Sequence, residues 1–305
     1  MIPPTSVTAT TASAYNAAAA AAAATYMTAW SSGQFISDPM KLPPPPKSLE
    51  DIYATHDSMT SFAATDCNNF GGGIGGYKMG AVGLLDNVPC LYAPLFQNYI
   101  YNDDGSSSFS PSLSELNCHT LEAEIGFIIG KDLPPKKEES ESGQEEQDAV
   151  YTEDEIISAI ESVVCCVELV GSRAIGDAWK EMTLKSKLAD CVMAGGVLMG
   201  EKLTPTKAIT FTSDSIRNIN TSFIVDGKVQ DEGCADLCPQ GGPLESLSWL
   251  VHTLNSKNCG LKKGQLVISG MTSKIGSPHA GNNIEVTFDT NNGDPASSVQ
   301  FSFKE

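Results

Sequence analysis

The chain has 305 residues, of which 41% are hydrophobic, and its formal net charge is −18. This length and apolar content are enough to bury one large core, or a large core and a small one. The acidic balance argues against nucleic acid and anionic membranes as partners, because both bind basic protein surface. No apolar run approaches the roughly 20 residues that span a bilayer, so no membrane association is predicted.

The first segment is rich in threonine and alanine and has no lysine or arginine in residues 1–24. Secretory and mitochondrial leaders carry basic residues, so neither is predicted. The 9 cysteines are irregularly spaced, which is typical of a reducing compartment and predicts a cytoplasmic location. We expect a disordered tail over 1–14, followed by a helix that is built on the alanine run 17–24.

A small helical region is predicted over residues 15–75. The prolines Pro43–Pro46 after the first helix predict a stiff spacer. Ser48 and Asp51 then supply capping-box chemistry for a second helix. A G-x-G-x-x-G pattern occupies residues 71–76, with its glycines at 71, 73 and 76, but no apolar strand precedes it and no clear helix follows. It is therefore not interpreted as a dinucleotide site.

Residues 76–305 are predicted to form one mainly β domain, which gives the chain an α+β fold. An acidic stretch within 135–150 predicts a disordered, solvated insertion, with a partner-docking segment as the alternative. A turn at Asp226-Gly227 can connect two strands. Helices are predicted at 153–162 and 243–255, and strands at 122–130, 163–171, 194–199, 207–213, 222–226, 265–269, 284–288 and 298–303.

Three glutamates form a candidate metal site. Glu122 and Glu124 share one face of a predicted strand, because strand side chains alternate, and the apolar neighbours occupy the other face. Glu168 interrupts the apolar run 163–170, which reads as buried, where an unpaired carboxylate is costly. Carboxylates about 4 Å apart repel by roughly 4 kcal/mol, and a hard cation removes that cost. Oxygen ligands favour Mg²⁺ or Mn²⁺, with Ca²⁺ next. For Glu122 and Glu124 alone, the alternative is a strand whose glutamates face water without a metal.

Five motifs occur in order along the chain: GYKMG at 76–80, EAEIGF at 122–127, VELVGSR at 167–173, LAD at 188–190 and GQLVISG at 264–270. With them the sequence resembles the 2-keto-4-pentenoate hydratase and 4-oxalocrotonate decarboxylase group of the fumarylacetoacetate hydrolase superfamily, over about residues 15–303. The resemblance implies a mixed, β-roll-like catalytic domain, like the C-terminal domain of fumarylacetoacetate hydrolase, after the helical region. It also implies a homo-oligomer and a small anionic 2-oxo acid substrate.

The resemblance implies that Glu122, Glu124 and Glu168 bind Mg²⁺ or Mn²⁺ and that Lys78 is catalytic. A cation beside Lys78, together with burial, would lower the pKa of its amine, which suits a proton shuttle. The alternative for Lys78, judged from the residues alone, is a surface lysine after a flexible loop.

Five further residues have candidate roles in or near the substrate site. Arg173 could bind a substrate carboxylate or form a structural ion pair. Asp190, Ser269 and Thr272 are the other candidate substrate-binding residues. His119 is expected to pack beside the metal site and not to bind the ion, since imidazole is an uncommon ligand for Mg²⁺.

Several positions depart from the family pattern. Residues 81–83 are Ala-Val-Gly where Leu-Thr-Ser is usual, and 86–90 replace an acidic segment. Cys191 occupies a position where asparagine is typical, and 241–243 read Gly-Gly-Pro in place of Gly-His-Pro. These changes spare the three glutamates and alter what surrounds them, so the reaction outcome can differ.

Three functions stay open. The first is a metal-dependent hydratase that adds water to a 2-hydroxy-2,4-dienoate or 2-oxoalkenoate through a metal-stabilised enolate. The second is a 2-oxo acid decarboxylase or an acylpyruvate-type C–C hydrolase, for which His56 is the one early residue that could polarise water, although its setting predicts a helix surface. The third is a binding protein without turnover, against which the three intact glutamates argue.

Overall fold

A computed structural model describes most of the chain, in eight segments: residues 9–80, 83–86, 88–102, 110–137, 150–203, 212–276, 278–289 and 295–304. The architecture is α+β, as predicted, with two sheets and helices at the N-terminal end. Among the described residues no helix is both long enough and apolar enough to cross a bilayer. All 9 cysteines are free thiols.

The helices are short apart from the first two and the last. They are α1 Ala9–Ser32, α2 Leu49–Thr65, α3 Cys67–Phe70, α4 Leu113–Leu116, α5 Glu153–Ser158, α6 Gly176–Glu181, α7 Leu184–Ala189, α8 Ser213–Arg217 and α9 Pro243–Ser256. The strands are β1 Ile74–Gly80, β2 Leu91–Phe96, β3 Ile100–Asn102, β4 Cys118–Ile129, β5 Ile160–Gly171, β6 Ala194–Leu203, β7 Asn220–Val225, β8 Lys228–Cys234, β9 Leu266–Gly276, β10 Asn283–Asp289 and β11 Pro295–Ser302.

Local chemistry explains where several elements begin. The capping box that opens α2 is present: Ser48 Oγ accepts from Asp51 N, and the Asp51 carboxylate accepts from Ser48 N. Asp226 and Gly227 join β7 to β8, and both have positive φ, 49° and 76°, as a tight hairpin turn requires. Helix α9 begins at Pro243, where a missing N–H costs nothing.

Some predicted boundaries were wrong. Helix α1 begins at Ala9, upstream of the boundary predicted at 15. Helix α5 ends at Ser158 and not at 162, because Ile160 already pairs with Ile129 in the sheet. Strands β1 and β2 were not predicted, since glycines and a proline weaken the strand pattern there.

Some predictions fall partly or wholly outside the described residues. The predicted strand 207–213 overlaps 204–211, which are not described, and its last residue lies in α8. The acidic insertion overlaps 138–149, which are also outside, as are residues 1–8 of the predicted tail. The described part of the predicted insertion is tied to the protein, contrary to the prediction of a solvated segment there: Lys136 N donates to Asn255 Oδ1 at 2.7 Å.

The larger sheet has seven strands in the order β2-β1-β9-β4-β5-β6-β3, and it curls into a half-barrel. Strand β4 is central and pairs antiparallel with β5 and β9, whereas β1 runs parallel to β9 and β3 runs parallel to β6. The smaller sheet has the order β11-β10-β7-β8. The larger sheet is therefore mixed, as expected of a β-roll-like core.

Two buried apolar clusters cover the two faces of the larger sheet. Leu121, Ala123 and Ile125 of β4 pack into the cluster that includes α9 and the smaller sheet. The opposite face packs against α1 and α2. Because strand side chains alternate, Glu122 and Glu124 point to this second face, so the N-terminal helices form one wall of the space around them.

Candidate metal centre and active site

The three glutamates converge on the helix-covered face of the half-barrel. Glu122 and Glu168 are direct cross-strand partners in the β4–β5 pair, and Glu124 follows on the same face of β4. Each offers a carboxylate oxygen, and these oxygens lie within 4.8 Å of one another. Glu124 and Glu168 are 0% exposed, whereas Glu122 is partly exposed. The predicted convergence of the three side chains is confirmed.

The polar atoms of this cluster fit a hard divalent cation. Glu124 Oε1 and Glu168 Oε2 are buried and have no hydrogen-bond partner among the described residues. Burial, and then the charge of Glu168, raise the pKa of both Glu122 and Glu124. Buried carboxylate oxygens without donors are costly, and an all-oxygen donor set is what Mg²⁺ and Mn²⁺ bind. The residues present therefore fit the predicted ion.

A backbone irregularity in β9 orients Glu124. Gly270 N donates to Glu124 Oε2 at 2.7 Å, at a point where the β4–β9 register shifts. Gly270 has φ +110°, and a Cβ added there would lie 2.3 Å from Pro239 Cδ. Glycine is needed at this bulge, which aims a main-chain N–H at one carboxylate oxygen and leaves the other for a ligand.

Lys78 on β1 is buried beside the cluster and is only 3% exposed, so the surface-lysine alternative is wrong. Its Nζ lies 2.7 Å from Glu168 Oε1 and donates to Val192 O at 3.0 Å. Burial lowers the pKa of Lys78, but the charges of the three carboxylates raise the pKa by more. The sequence analysis predicted a lowered pKa for Lys78 because it assumed a cation beside the amine. With the carboxylates alone, the pKa of Lys78 is raised.

The acceptor Val192 O belongs to a left-handed turn. Cys191, Val192 and Met193 have φ of 49°, 51° and 60°, and none of them is glycine. Left-handed backbone costs an L-residue roughly 1–2 kcal/mol. Such a run persists only where its surroundings hold it, and here Met193 N donates to Asp190 O at 2.8 Å.

No family model matches the chain. A 2-hydroxyhexa-2,4-dienoate hydratase of Comamonas testosteroni is 26% identical over 180 residues, which are 59% of this chain and 59% of that protein. A 2-keto-4-pentenoate hydratase of Paraburkholderia xenovorans is 29% identical over 163 residues, 52% of this chain and 51% of that protein. The chain thus spans between half and three fifths of the length of these relatives.

The fold comparison covers nearly the whole chain. The structure of 4-oxalocrotonate decarboxylase from Pseudomonas putida G7, complexed with magnesium and adipate, matches with a TM-score of 0.69 at 18% identity, over 93% of this chain and 97% of that one. A yeast protein of the fumarylacetoacetate hydrolase family matches with a TM-score of 0.51 at 12% identity, over 75% and 92%. At such identities the likeness shows the fold, and the sequence similarity is to hydratases.

The chain is similar in sequence to hydratases of the 2-keto-4-pentenoate group, in agreement with the predicted resemblance. Its fold is like that of the fumarylacetoacetate hydrolase superfamily, so the predicted fold is confirmed. The distant homologues in the group are hydro-lyases.

Arg173 makes its polar contacts inside the protein. It is 2% exposed, its Nε and Nη2 donate to Asp190 Oδ1 and Asp190 O, and its Nη1 donates to Ala194 O. The guanidinium also lies 4.2 Å from the centre of the Trp30 ring. Asp190 Oδ2 accepts from Arg173 N at 2.9 Å and from Ser172 Oγ at 3.1 Å. These contacts favour a structural ion pair over substrate binding for both residues.

The two predicted hydroxyl contacts also have internal partners. Ser269 Oγ donates to Ile125 O at 2.8 Å, and Thr272 Oγ1 donates to Ala123 O at 2.9 Å. Both side chains are buried, and they tie β9 to β4. The structure thus gives Ser269 and Thr272 a role in holding the strand that carries Gly270.

His119 lies on β4 but outside the carboxylate cluster. Its ring stacks on Trp179 with centroids 4.7 Å apart and an interplanar angle of 14°. Burial lowers its pKa, so it is neutral near pH 7. The His119 ring is packed on Trp179 outside the cluster, and its role beside an ion stays a prediction.

His56 is not on the helix surface, and that prediction was wrong. It is 2% exposed because this face of α2 packs on α7, where His56 Nε2 donates to Leu188 O at 3.0 Å. Burial lowers its pKa to about 4. His56 therefore supports the segment that leads to the left-handed turn.

Three residues of the site were not found from the sequence. Val192 contributes only a main-chain oxygen, which no side-chain pattern reveals. Gly270 interrupts a strand pattern, which is a signal for a bulge. Lys274 is the β9 partner of Glu122, is exposed, and acts to lower the pKa of Glu122, against the larger effect of burial. Since Glu122 is the partly exposed member of the cluster, Lys274 lies on the solvent side of the cluster.

Among the positions that depart from the family pattern, residues 81–82 and 87 lie outside the described residues. Cys191 is buried, and its Sγ lies 3.4 Å from Met59 Sδ on α2. Gly241 and Gly242 precede α9 in a loop whose Pro239 packs on Gly270. Of the described departures, Cys191 adjoins the Val192 carbonyl that accepts from Lys78, and the 241–242 loop lies next to the Gly270 bulge.

Proposed function

We propose that the protein is a metal-dependent hydratase that adds water to a 2-hydroxy-2,4-dienoate or the corresponding 2-oxoalkenoate. The observation that carries the proposal is the buried glutamate cluster, with two carboxylate oxygens that lack partners, directly beside Lys78. A bound Mg²⁺ or Mn²⁺ would act there as a Lewis acid towards the carboxylate and keto oxygens of the substrate. The sequence similarity to hydratases supports the same reaction class.

Lys78 is the candidate catalytic residue. Its Nζ is held between Glu168 and Val192 O, which leaves one N–H of the ammonium for a ligand. In the proposed reaction the dienol loses its hydroxyl proton and gains a proton at the far end of the diene, which gives a 2-oxo-3-alkenoate. The hydroxyl group of a water then adds at C4, and the proton that this water loses is replaced by a proton gained at C3. The net change is the gain of one water. We assign the transfer of these protons to Lys78, which the ion pair with Glu168 supports.

The site must also attract an anion to an acidic protein. The formal net charge of the chain is −18, which repels a carboxylate at long range. Lys78 inside the site, Lys274 beside Glu122 and the cation would supply the local positive charge. A small 2-oxo acid is the partner that this arrangement suits, and assembly into a homo-oligomer stays a prediction.

The test is an assay of the protein with Mn²⁺ or Mg²⁺ on 2-hydroxypenta-2,4-dienoate, followed by ultraviolet absorbance and by NMR of the product. We expect the dienol absorbance to disappear and a 4-hydroxy-2-oxo acid to form, and Lys78→Met and Glu168→Gln to abolish this turnover. Release of CO₂ from 2-oxohex-3-enedioate, or cleavage of an acylpyruvate, without any hydration would replace the proposal with decarboxylation or hydrolysis. Tight binding of 2-oxo acids without turnover or proton exchange at C3 would indicate a binding protein.

A further inference from the structure

We infer that the left-handed turn Cys191–Met193 is a positioning element for Lys78, in which Val192 restrains the direction of its own carbonyl. The catalytic part of this inference rests on the proposed function. The starting observation is that the buried Lys78 ammonium has a main-chain acceptor, Val192 O at 3.0 Å, as well as Glu168. That acceptor comes from a residue type that strongly avoids the conformation it adopts.

Backbone geometry explains why a branched L-residue fixes the carbonyl. Val192 has φ 51° and ψ 35°. Turning its carbonyl away from Lys78 means flipping the 192–193 peptide, which changes ψ of Val192 by about 180° while φ stays positive. That region of backbone space is accessible essentially only to glycine. Any residue with a Cβ therefore keeps the carbonyl pointed at Lys78, once φ is held positive.

The surroundings hold the two ends of the turn. Met193 N donates to Asp190 O at 2.8 Å, and Arg173 donates to Asp190 O and to Ala194 O. Upstream, His56 Nε2 donates to Leu188 O, and the Cys191 thiol contacts Met59 Sδ. Met193 is half-buried, and the other residues in these contacts are buried. Because Met193 N and Val192 O belong to one peptide, the bond to Asp190 O and the Cβ of Val192 both oppose rotation of that carbonyl away from Lys78.

A matched pair of variants separates this role from packing. Val192→Ala and Val192→Gly both remove the buried side chain, but only glycine permits the flipped peptide. Asn258→Gly is the control for glycine at a left-handed position, since Asn258 has φ 55° and is exposed after α9. We expect Asn258→Gly to retain kcat, and Val192→Ala to keep more of the parent's kcat than Val192→Gly does. We expect Val192→Gly to lose about fivefold or more in kcat, while KM and the affinity for Mn²⁺ stay within about twofold of the parent.

Lys78→Met tests whether the turn acts through the lysine. In urea denaturation without substrate, Lys78→Met should change the unfolding equilibrium by at least about threefold more in the Val192→Ala background than in the Val192→Gly background, because the contact exists only in the former. Equal effects in the two backgrounds would overturn the positioning role. Equal kcat for the Ala and Gly variants of an active parent would overturn it as well.

The two proposals fail separately. If the parent binds Mn²⁺ but turns over no 2-oxo acid, the proposed function falls, and the urea comparison still decides whether the turn directs its carbonyl to Lys78. If the parent hydrates the dienoate and Val192→Gly hydrates it equally fast, the inference about the turn falls and the proposed function stands.

Discussion

Glu122 on β4 and Glu168 on β5 are direct partners across an antiparallel strand pair. Like charges directly opposite each other destabilise a sheet, and Glu124 adds a third carboxylate to the same face. We therefore expect Mn²⁺ and Mg²⁺ to stabilise the native state, by about 2.7 kcal/mol at a concentration 100 times Kd. Thermal unfolding with and without Mn²⁺ measures this effect.

Glu124→Gln is the variant for that measurement. We expect it to lose the response to Mn²⁺ and to keep the metal-free stability within about 1 kcal/mol, because the pKa of the Glu124 carboxyl is already raised and glutamine resembles its protonated form. Glu153→Gln is the control, since Glu153 is exposed on α5. If the Glu124→Gln protein were stabilised by Mn²⁺ as strongly as the parent, the prediction of a metal site at these glutamates would be wrong.

Gly270→Ala should destabilise the protein strongly. The new Cβ would meet Pro239 Cδ at 2.3 Å, and the residue would have to keep φ +110°. We expect a loss of about 3 kcal/mol or more in urea denaturation. Gly264→Ala is the matched control, because Gly264 has φ +87° and nothing lies within 4 Å of its added Cβ. Equal losses for the two variants would mean that the contact with Pro239 contributes nothing.

Arg173→Met should act on stability. It leaves the buried Asp190 carboxylate without its ion-pair partner, and breaking a buried pair costs about 3–5 kcal/mol. Asp190→Asn in the same protein should recover part of the loss, since it removes the unpaired charge. The measurement is urea denaturation of the two variants and the parent. If the Arg173→Met protein were as stable as the parent but had a greatly raised KM, the structural role would be wrong and Arg173 would be a substrate-binding residue.

His56 should make stability depend on pH. Burial lowers its pKa to about 4 from the ordinary 6.5. Between these values the unfolded chain binds more protons than the native state, so stability is fully present above about pH 6.5 and falls as the pH drops towards 4. We expect about 2 kcal/mol to be lost at about pH 5 through this group.

The comparison for His56 is with His56→Gln, whose side-chain amide can still donate to Leu188 O. The difference in unfolding free energy between parent and variant should narrow or reverse from about pH 7 to about pH 5, and this isolates His56 from the carboxylates that titrate in the same range. A difference that stays constant over this range would show that His56 does not remain neutral in the native state.

The cluster of three glutamates was predictable because its signal in the sequence is periodic. Glu122 and Glu124 share a strand face by alternation, and Glu168 breaks an apolar run, so both segments reveal an acidic side chain in a buried position. The capping box of α2 and the hairpin turn at Asp226-Gly227 were predictable for similar reasons, since each depends on neighbours in sequence.

The rest of the site depends on register and on main-chain atoms. The position of Lys274 opposite Glu122 follows from how β9 pairs with β4, and two bulges shift that register. His56 reads as a surface residue in its own helix, and only the packing of α2 on α7 buries it. Arg173 was left between two roles because the sequence does not show that Asp190 lies against it.

The contact of α2 with the 188–193 segment has a consequence for how this chain can be recombined. His56 and Met59 on α2 contact Leu188 and Cys191. Helix α2 therefore supports the segment whose Val192 carbonyl accepts from Lys78 on β1. A chimera joined at residue 76, with the helices of one homologue and the β-roll of another, would inherit all three glutamates and still lose its fit around the amine. The natural unit of exchange is the whole chain from α1 onward.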